Sequence, residues 1–296
     1  MIVGVCYTKK EGCALAHTNA IKEGIEVCGD QVLSVKGLHD LDKLHHCDVS
    51  FQACEECFDV NFPDNIFRAG IKSMQETLNK PRIILDAGFI KHAKDYPLES
   101  QHISISIGSV KREGLSHTKN SPPDRWNKLG INKPQWRTDG DHILVLGQVA
   151  HGIGTKSMRS KGVSFAEWVS LTLNNIRAHT HRKIIYKPHP MNNQAAPLVA
   201  NSEVAKSDRL DDYLSNCWCA VASASNGAVD CIMGGVPVIT DDKMSMVYEI
   251  SSHSLEEIET PKMLELTQWL YDTSYAQWNI KELRSGETWE YIKNQL

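Results

Sequence analysis

The sequence lacks several features that would assign it to a membrane protein or a nucleic-acid-binding module. No stretch approaches the roughly 20 apolar residues of a membrane-spanning helix. The formal net charge is −4 and the pI is near 6.3, whereas a small dedicated DNA-binding domain is usually basic. A local basic face on a mildly acidic enzyme remains compatible with these numbers. There is no internal repeat and no low-complexity tract, which excludes solenoid architectures.

The first residues also lack the order of an export signal. In MIVGVCYTKK the short apolar run precedes the lysines, the reverse of a signal peptide. The chain holds nine cysteines, and without an export signal most are expected to be reduced core thiols. We therefore expect a cytoplasmic protein.

The first third of the chain alternates short apolar runs with helical patterns. A chain of 296 residues can form two domains or one large one, so the order of strands and helices is needed to predict the fold. Strand followed by helix predicts right-handed crossovers and a parallel sheet. Asp64 is the predicted N-cap of one helix. Strands are predicted at 2–7, 31–35, 48–52 and 82–85, and helices at 13–28, 38–46 and 64–79.

The segment 108–141 interrupts this pattern, with little periodicity and an excess of basic residues. A loop of this length in a compact protein is usually functional or a linker. Taken singly, each basic side chain favours a solvated loop. Taken together, they favour contact with acceptor phosphates, which supply most of the affinity in DNA binding. The predicted acceptor-binding residues are Lys111, Arg112, Arg125 and Arg137.

A second α/β rhythm follows from residue 142 onward. The sequence therefore predicts an α/β fold with two Rossmann-like domains, 1–140 and 141–269, facing across a cleft. From residue 261 the chain is helical and rich in tryptophan. Strands are predicted at 143–146, 183–187, 218–222 and 236–239, and helices at 165–179, 210–216 and 227–233.

The turn Lys187-Pro188-His189-Pro190 directly follows a predicted strand. Ligands of open α/β sheets bind beyond the carboxyl ends of the strands, and a cation beside a hydrogen-bond donor suits a pyrophosphate. The prolines stiffen the turn. The same four residues are also compatible with a rigid surface turn that happens to contain a histidine.

The run ASASNGA at 222–228 takes a strand through a small-residue turn into a helix. Backbone N–H groups at a helix start bind phosphate well, and Ser223, Ser225 and Asn226 could add side-chain donors. Ordinary N-capping by Ser225 or Asn226 explains the same residues and is compatible with phosphate binding. The run GGVPVI at 234–239 then ends the helix and begins the next strand.

The series KPHP, SASNGA and GGVPVI resembles the donor-binding half of glycosyltransferases with the GT-B architecture. It is closest in style to the His-Pro-motif enzymes, which include bacterial sialyltransferases and capsule Kdo transferases. The resemblance implies that His189 and a following serine, Ser223 or Ser225, contact the donor phosphate. It also implies a C-terminal helix, 270–296, that crosses back to the N-terminal domain.

These enzymes carry an acidic-Gly motif that supplies the catalytic base. The run ILDAGFIK at 84–91 resembles it, which implies that Asp86 is the base. The family often has two acids before the glycine, whereas Ala87 stands in the second place here. This departure keeps open a non-catalytic nucleotide-binding protein.

A further resemblance covers roughly the second half of the chain. The runs DRWNKLGI, PQWRTDGDHILVLGQ and AQWNIKELRSGETWEYIK are similar to those of glycosyltransferases of tailed bacteriophages, some of which are associated with sugar decoration of modified cytosines in phage DNA. The resemblance implies that Gln148 and the loop of Gly152 and Gly154 lie near the donor, with Arg137 close to the cleft. It implies a hydroxylated or hydroxymethylated pyrimidine in double-stranded DNA as the acceptor, in the cytoplasm of an infected host.

Other signals receive less weight. Cys54 and Cys57 have the spacing of a zinc knuckle, but no second pair follows, so we expect no metal. Glu249 lies after the last predicted strand, where it could bind a donor ribose hydroxyl or simply begin a helix. The expected co-substrate is a nucleoside-diphosphate sugar, UDP-linked, with no other cofactor. A surface glycan or lipid-linked sugar is the alternative acceptor.

Overall fold

The computed structural model describes residues 1–9, 12–54, 64–91, 96–191 and 199–296. The chain forms two compact units, Met1–Leu129 with Leu270–Leu296, and Gly130–Trp269. The predicted division placed segment 130–140 in the first domain. In the structure this segment packs with the second unit, where the backbone N–H of Arg137 donates to Gly235 O at 2.8 Å.

In its described residues, the first unit contains a six-stranded sheet of order β11-β5-β4-β3-β1-β2. Neighbours among β1 to β4 are parallel, whereas β5 is antiparallel to β4 and β11 is antiparallel to β5. The predicted parallel pairing is confirmed for the four predicted strands, whereas the two antiparallel strands, β5 and β11, were not predicted. The described part of the β4–β5 connection holds only the 3-10 turn Leu98–Ser100, so no crossover helix returns the chain for a parallel strand. The strands are β1 Ile2–Cys6, β2 Gln31–Val35, β3 Val49–Ala53, β4 Arg82–Ala87, β5 His102–Ile107 and β11 Gln277–Asn279.

Helices of the first unit cover both faces of this sheet. On one face, α1 packs against two helices of the C-terminal segment and buries an apolar core around Phe51, Ile83 and Trp289. On the other face, α2 packs with the 3-10 helix Leu38–His46. The helices are α1 Gly12–Val27, α2 Asn65–Leu78, α3 Asp124–Leu129, α8 Thr267–Tyr275, α9 Ile280–Arg284 and α10 Glu287–Lys293, where α8 begins in the second unit.

Asp64 occupies the predicted N-cap position of α2, but it does not cap the helix with its side chain. The backbone of Asp64 already has helical angles, and its side chain accepts no capping hydrogen bond. Its carboxylate instead forms an ion pair with Lys9 at 2.8 Å.

The second unit contains, in its described residues, a five-stranded sheet of order β10-β9-β6-β7-β8. All of its pairings are parallel, as predicted. Its core lies around Val145, Leu173 and Ile184. The strands are β6 His142–Leu146, β7 Lys183–Lys187, β8 Ser202–Val204, β9 Cys217–Val221 and β10 Val238–Ile239; the helices are α4 Lys156–Ser160, α5 Phe165–His179, α6 Asp211–Leu214 and α7 Gly227–Met233, with 3-10 turns at Ile153–Thr155, Tyr248–Ile250 and Leu255–Glu257.

The segment 108–141 is more regular than its sequence indicates. It contains 3-10 turns at Lys111–Gly114 and Ser116–Thr118 before α3. The helix α3 places Arg125 in the interior of the first unit, where its guanidinium donates hydrogen bonds to protein acceptors instead of water. The prediction of an irregular segment is therefore wrong at Asp124–Leu129, which forms α3.

Arg125 is buried against the C-terminal segment. It donates to Gln277 O at 2.8 Å and to Ser274 O at 3.1 Å, and it pairs with the buried Glu282 at 3.2 Å. Its guanidinium carbon lies 3.4 Å from the centre of the Trp278 ring. The C-terminal segment thus returns to the first unit, as the resemblance implied, but as a strand and short helices rather than one helix.

None of the helices in the described residues combines the length and the apolar character needed to cross a bilayer.

We expect the Arg125→Met substitution to destabilise the protein by about 3 kcal/mol, because it leaves the buried Glu282 with only Lys128 as a cationic partner. The exposed pair of Arg284 with Glu23 provides the matched control, and Arg284→Met should cost less than about 1 kcal/mol. Urea unfolding of both variants measures the difference. Equal losses of unfolding free energy would contradict the structural role of Arg125.

Candidate active site

The predicted donor-binding turns meet at one edge of the second sheet. Lys187 is the last residue of β7 and pairs with Leu146, the last residue of β6. Val221, the last residue of β9, pairs with Val145 on the other side of β6. Because these strands are parallel, the loops after β6, β7 and β9 all begin at the same edge, which is where open α/β sheets bind ligands.

Two glycines, Gly147 and Gly154, lie where these loops meet. The N–H of Gly147 donates to Lys187 O at 2.8 Å. A Cβ at position 147 would lie 2.9 Å from His189 N, closer than real Cβ atoms approach. A Cβ at Gly154 would lie 2.3 Å from Gln148 Oε1 and 3.5 Å from Ala224 O. The loops after β6 and β7 can therefore pack together only because position 147 lacks a side chain, whereas a side chain at 154 would mainly displace the flexible end of Gln148.

Of these two glycines, sequence reasoning selected Gly154 and missed Gly147. A glycine directly after a buried strand was the available signal. The other predicted glycine, Gly152, shapes the same loop, because its N–H donates to Val149 O at 3.0 Å.

His189 has a defined hydrogen-bonding state. Its Nδ1 accepts the backbone N–H of Met191 at 3.1 Å, so a neutral ring carries its proton on Nε2. Burial lowers the pKa of His189, and the nearby charge of Lys187 lowers it further. The imidazole is therefore neutral at pH 7 and presents Nε2–H as a donor.

Lys187 is buried at the end of its strand. Its Nζ donates to Ser207 O at 3.3 Å, and an ammonium has three hydrogens to donate. Burial lowers the pKa of Lys187, while Asp208 and Asp212 act in the opposite direction. Lys187 and His189 together form a half-buried pair of donors suited to an anion.

The structure separates the two candidate serines. Ser223 is buried, and its hydroxyl donates to Asp242 Oδ2 at 2.6 Å. Since a serine hydroxyl has one proton, Ser223 has none left for a phosphate. Ser225 is half-buried, and its hydroxyl has no hydrogen-bond partner among the described residues. Ser225 is therefore the serine available as a donor.

Side-chain capping does not explain the residues of this turn. The N-cap of α7 is Asn226, whose backbone is helical and whose side chain makes no capping hydrogen bond.

Glu249 is exposed in the 3-10 turn Tyr248–Ile250. A bridge from Ile239 to Ser252 joins the residues after this turn to the end of β10.

Asp86 lies in the first unit, near the carboxyl end of β4. Its Oδ1 accepts the N–H of Ala87 at 2.8 Å. Burial raises the pKa of Asp86, and the Ala87 hydrogen bond and the charges of Lys111 and Arg68 lower it in part. The net result is a carboxyl group with a raised pKa, the property expected of a general base that works near neutral pH.

The loop after Asp86 is held by two contacts that the sequence did not predict. A Cβ at Gly88 would lie 2.3 Å from His102 O, so only glycine fits against the start of β5. Gln277 of β11 uses its Oε1 to accept the N–H groups of Phe89 and Ile90, each at 2.8 Å. No local pattern could reveal Gln277, because it lies far along the chain from the loop.

The predicted acceptor residues occupy different environments. Lys111 and Arg112 begin a 3-10 turn of the first unit, and Lys111 acts electrostatically on Asp86. Arg125 is buried in the first unit and pairs with Glu282 rather than lying on an exposed basic face, and its contact with an acceptor stays a prediction. Arg137 belongs to the second unit, where its guanidinium donates to Ser215 O.

In the described part of the chain, no three His, Cys, Asp or Glu side chains are grouped so as to hold a metal ion. Cys54 is described and half-buried, whereas Cys57 lies outside the described residues.

We expect His189 to titrate below its ordinary pKa of 6.5, with the neutral ring protonated on Nε2. Nitrogen-15 NMR of the imidazole measures both properties. Replacing Lys187 with Met removes a nearby positive charge and should raise the pKa of His189. Lys183→Met is the control, since Lys183 begins the same strand and pairs with Glu203. A His189 ring protonated on Nδ1 would contradict the geometry.

The chain aligns over its whole length with a solved glycosyltransferase. KpsC of Thermosulfurimonas dismutans, a β-Kdo 2,7-transferase, is 12% identical, with 100% of this chain and 99% of that chain covered and a TM-score of 0.50. MnaA of S. aureus, solved with UDP, is 10% identical with 99% and 96% covered and a TM-score of 0.37. The calicheamicin glycosyltransferase CalG4 is 10% identical with 99% and 98% covered and a TM-score of 0.33. No protein-family model and no curated protein matches the sequence. The likeness to KpsC shows that the chain has an α/β fold of GT-B type.

Proposed function

We propose that this protein transfers a sugar from a nucleoside-diphosphate sugar to a hydroxyl acceptor. The observation that carries the proposal is the convergence of Lys187, His189 and Ser225 at the carboxyl edge of the second sheet. Each offers a hydrogen-bond donor at an edge where α/β folds bind nucleotides. The GT-B type of fold supports the same reaction class.

The donor diphosphate is the group that these three residues bind in the proposed reaction. The ammonium of Lys187 supplies charge, and His189 Nε2–H and the Ser225 hydroxyl supply directed hydrogen bonds. These interactions strengthen as negative charge develops on the leaving diphosphate. Asn226, Gln148, Gly152 and Gly154 complete the donor-binding loops, and Glu249 binds the ribose of a UDP-linked donor.

Asp86 acts as the general base in this proposal. It removes the proton of the acceptor hydroxyl, and the acceptor oxygen bonds to the anomeric carbon of the sugar. The bond from that carbon to the diphosphate oxygen breaks, and the nucleoside diphosphate leaves with the electron pair. The raised pKa of Asp86 supports this role, because a stronger base accepts the proton more readily.

The proposed acceptor is the hydroxyl of a hydroxymethyl- or hydroxycytosine in double-stranded DNA. The resemblance to phage glycosyltransferases supports it, as does the presence of Lys111 and Arg112 on the side of Asp86, where they can meet backbone phosphates. An enzyme acting on such a base must reach it in the major groove or flip the nucleotide. A surface glycan is the second candidate acceptor, which the Kdo transferase activity of KpsC supports.

Mass spectrometry tests the proposal directly. The purified protein is incubated with a panel of nucleotide sugars and with DNA containing hydroxymethylcytosine or hydroxycytosine, and the digested nucleosides are weighed. We expect a pentose- or hexose-sized mass gain on the modified base. Asp86→Asn should lower the rate of this transfer by at least about a hundredfold. Asp42→Asn, at an exposed carboxylate of the same unit, should transfer at the wild-type rate. No gain on DNA but a gain on a glycan panel would select the second acceptor.

The pH dependence of transfer should follow the pKa of Asp86. The base must be ionised, so kcat/KM should rise with pH through a pKa above the ordinary aspartate value of about 3.9. Lys111→Met removes a charge that favours the carboxylate and should move this acid limb to higher pH. Arg112→Met is the neighbouring control and should leave the limb in place. An acid limb that Lys111→Met does not move would contradict the assignment.

A further inference from the structure

A cavity of about 390 Å³ opens in the first unit beside the Asp86 motif. Its walls come from the start of β5, the loop after β4, α3 and the junction of β11 with α9. All of these elements belong to the same unit. The volume is in the range of ordinary small-ligand sites.

The strand register places this cavity close to Asp86. Asp86 pairs with Ser104, and Ala87 pairs with Ile103. Because side chains alternate along a strand, Asp86, Ser104 and His102 project from the same face of the sheet. His102 lines the cavity, and its carbonyl lies against Gly88. A ligand in the cavity therefore lies one strand from the proposed base.

The cavity wall has an excess of positive charge. Arg125 and Lys128 are compensated, because both contact the carboxylate of Glu282. Lys91 and Lys281 form no ion pair in the described part of the chain; Lys91 Nζ donates only to Leu129 O, at 2.6 Å. The remaining acid, Glu99, lies 3.7 Å from Arg284. Two ammonium groups are thus left without a counter-charge at one cavity.

His102 supplies a second, independent sign of a ligand. Its side chain is more than nine-tenths buried, yet its Nδ1 has no hydrogen-bond partner. Burial lowers the pKa of His102 to about 4, so the ring is neutral at pH 7. Buried polar atoms are normally hydrogen-bonded. This nitrogen is itself enclosed, so it accepts a hydroxyl of a molecule in the cavity once the His102 ring turns toward that molecule.

We propose that this cavity binds the acceptor through an oxyanion, a phosphate or a carboxylate, which Lys91 and Lys281 hold while His102 accepts a neighbouring hydroxyl. The word acceptor rests on the proposed function, whereas the oxyanion site rests on the cavity alone. The site selects acidic acceptors, because a neutral one would leave both ammonium groups unpaired. Binding there also anchors the acceptor next to Asp86.

Calorimetric titration with inorganic phosphate tests the site. The wild type should bind phosphate at two places, this cavity and the donor turn. The double variant Lys91→Met/Lys281→Met should lose one of them, with affinity at least about tenfold weaker, and His189→Ala should lose the other. Lys36→Met, at an exposed lysine without an ion pair in the described chain, should behave as the wild type. Unchanged phosphate binding in the double variant would overturn the proposal.

Two further measurements keep the outcome clear. Lys281 is exposed, so Lys281→Met alone serves if the double variant does not fold, and Lys281→Arg should restore phosphate binding. Displacement of phosphate from the cavity by a dinucleotide would identify a phosphate acceptor, and displacement by glucuronate a carboxylate acceptor. Displacement by neither would overturn the assignment to acceptors.

The oxyanion site and the proposed function fail in different ways. Loss of phosphate binding in the double variant, with no sugar transfer to any acceptor, would leave the site standing and refute the transferase. Transfer that the double variant performs with an unchanged acceptor KM would retain the transferase and refute the site.

Discussion

The buried guanidinium of Arg125 is the interaction on which the first unit depends. It binds the carbonyl of Gln277 and the carboxylate of Glu282, and so holds the C-terminal segment against α3. Gln277 in turn fixes the N–H groups of Phe89 and Ile90, directly after the Asp86 motif. Arg125, which the sequence predicted as a contact for an acceptor, therefore also acts indirectly. Through Gln277 it keeps the loop beside the proposed base in place.

In the second unit the corresponding constraint is the absence of a side chain at Gly147. Strand pairing brings the loops after β6, β7 and β9 to one edge, and the lack of a side chain at Gly147 lets the backbones after β6 and β7 approach closely. The buried carboxylate of Asp242 distinguishes the two candidate serines, because it accepts the hydrogen bond of the Ser223 hydroxyl. It also accepts the N–H of Met244 at 3.0 Å. Ser225, which is half-buried, is thereby left as the available serine donor of the turn.

Burial shifts the proposed catalytic and binding groups in a consistent way. It raises the pKa of Asp86 and lowers those of Lys187 and His189, since in each case the charged form loses solvation. The pKa values of Asp86 and Lys187 thus move toward neutral pH, whereas the pKa of His189 moves further below it. Perturbed values of this kind concentrate at functional sites. A bound anion would favour the charged forms of Lys187 and His189, so ligand binding and protonation are coupled there.

The sequence by itself determined the α/β rhythm and the motifs that follow its strands. The helix at 165–179, the strand at 183–187 and the helix at 227–233 lie within the predicted bounds, because their periodicity and their flanking turns are local signals. The importance of Lys187 and His189 could equally be predicted, since Lys187 ends a strand and His189 lies two residues after it.

Only the tertiary structure decided which of these residues are free to act. The antiparallel β5 and β11, the burial of Arg125, the clamp of Gln277 and the difference between Ser223 and Ser225 all depend on partners distant in the chain. A local pattern reports the preference of a segment for helix or strand. It cannot report which distant acceptor receives the hydrogen bond of a side chain, because the packing of distant segments against each other decides that.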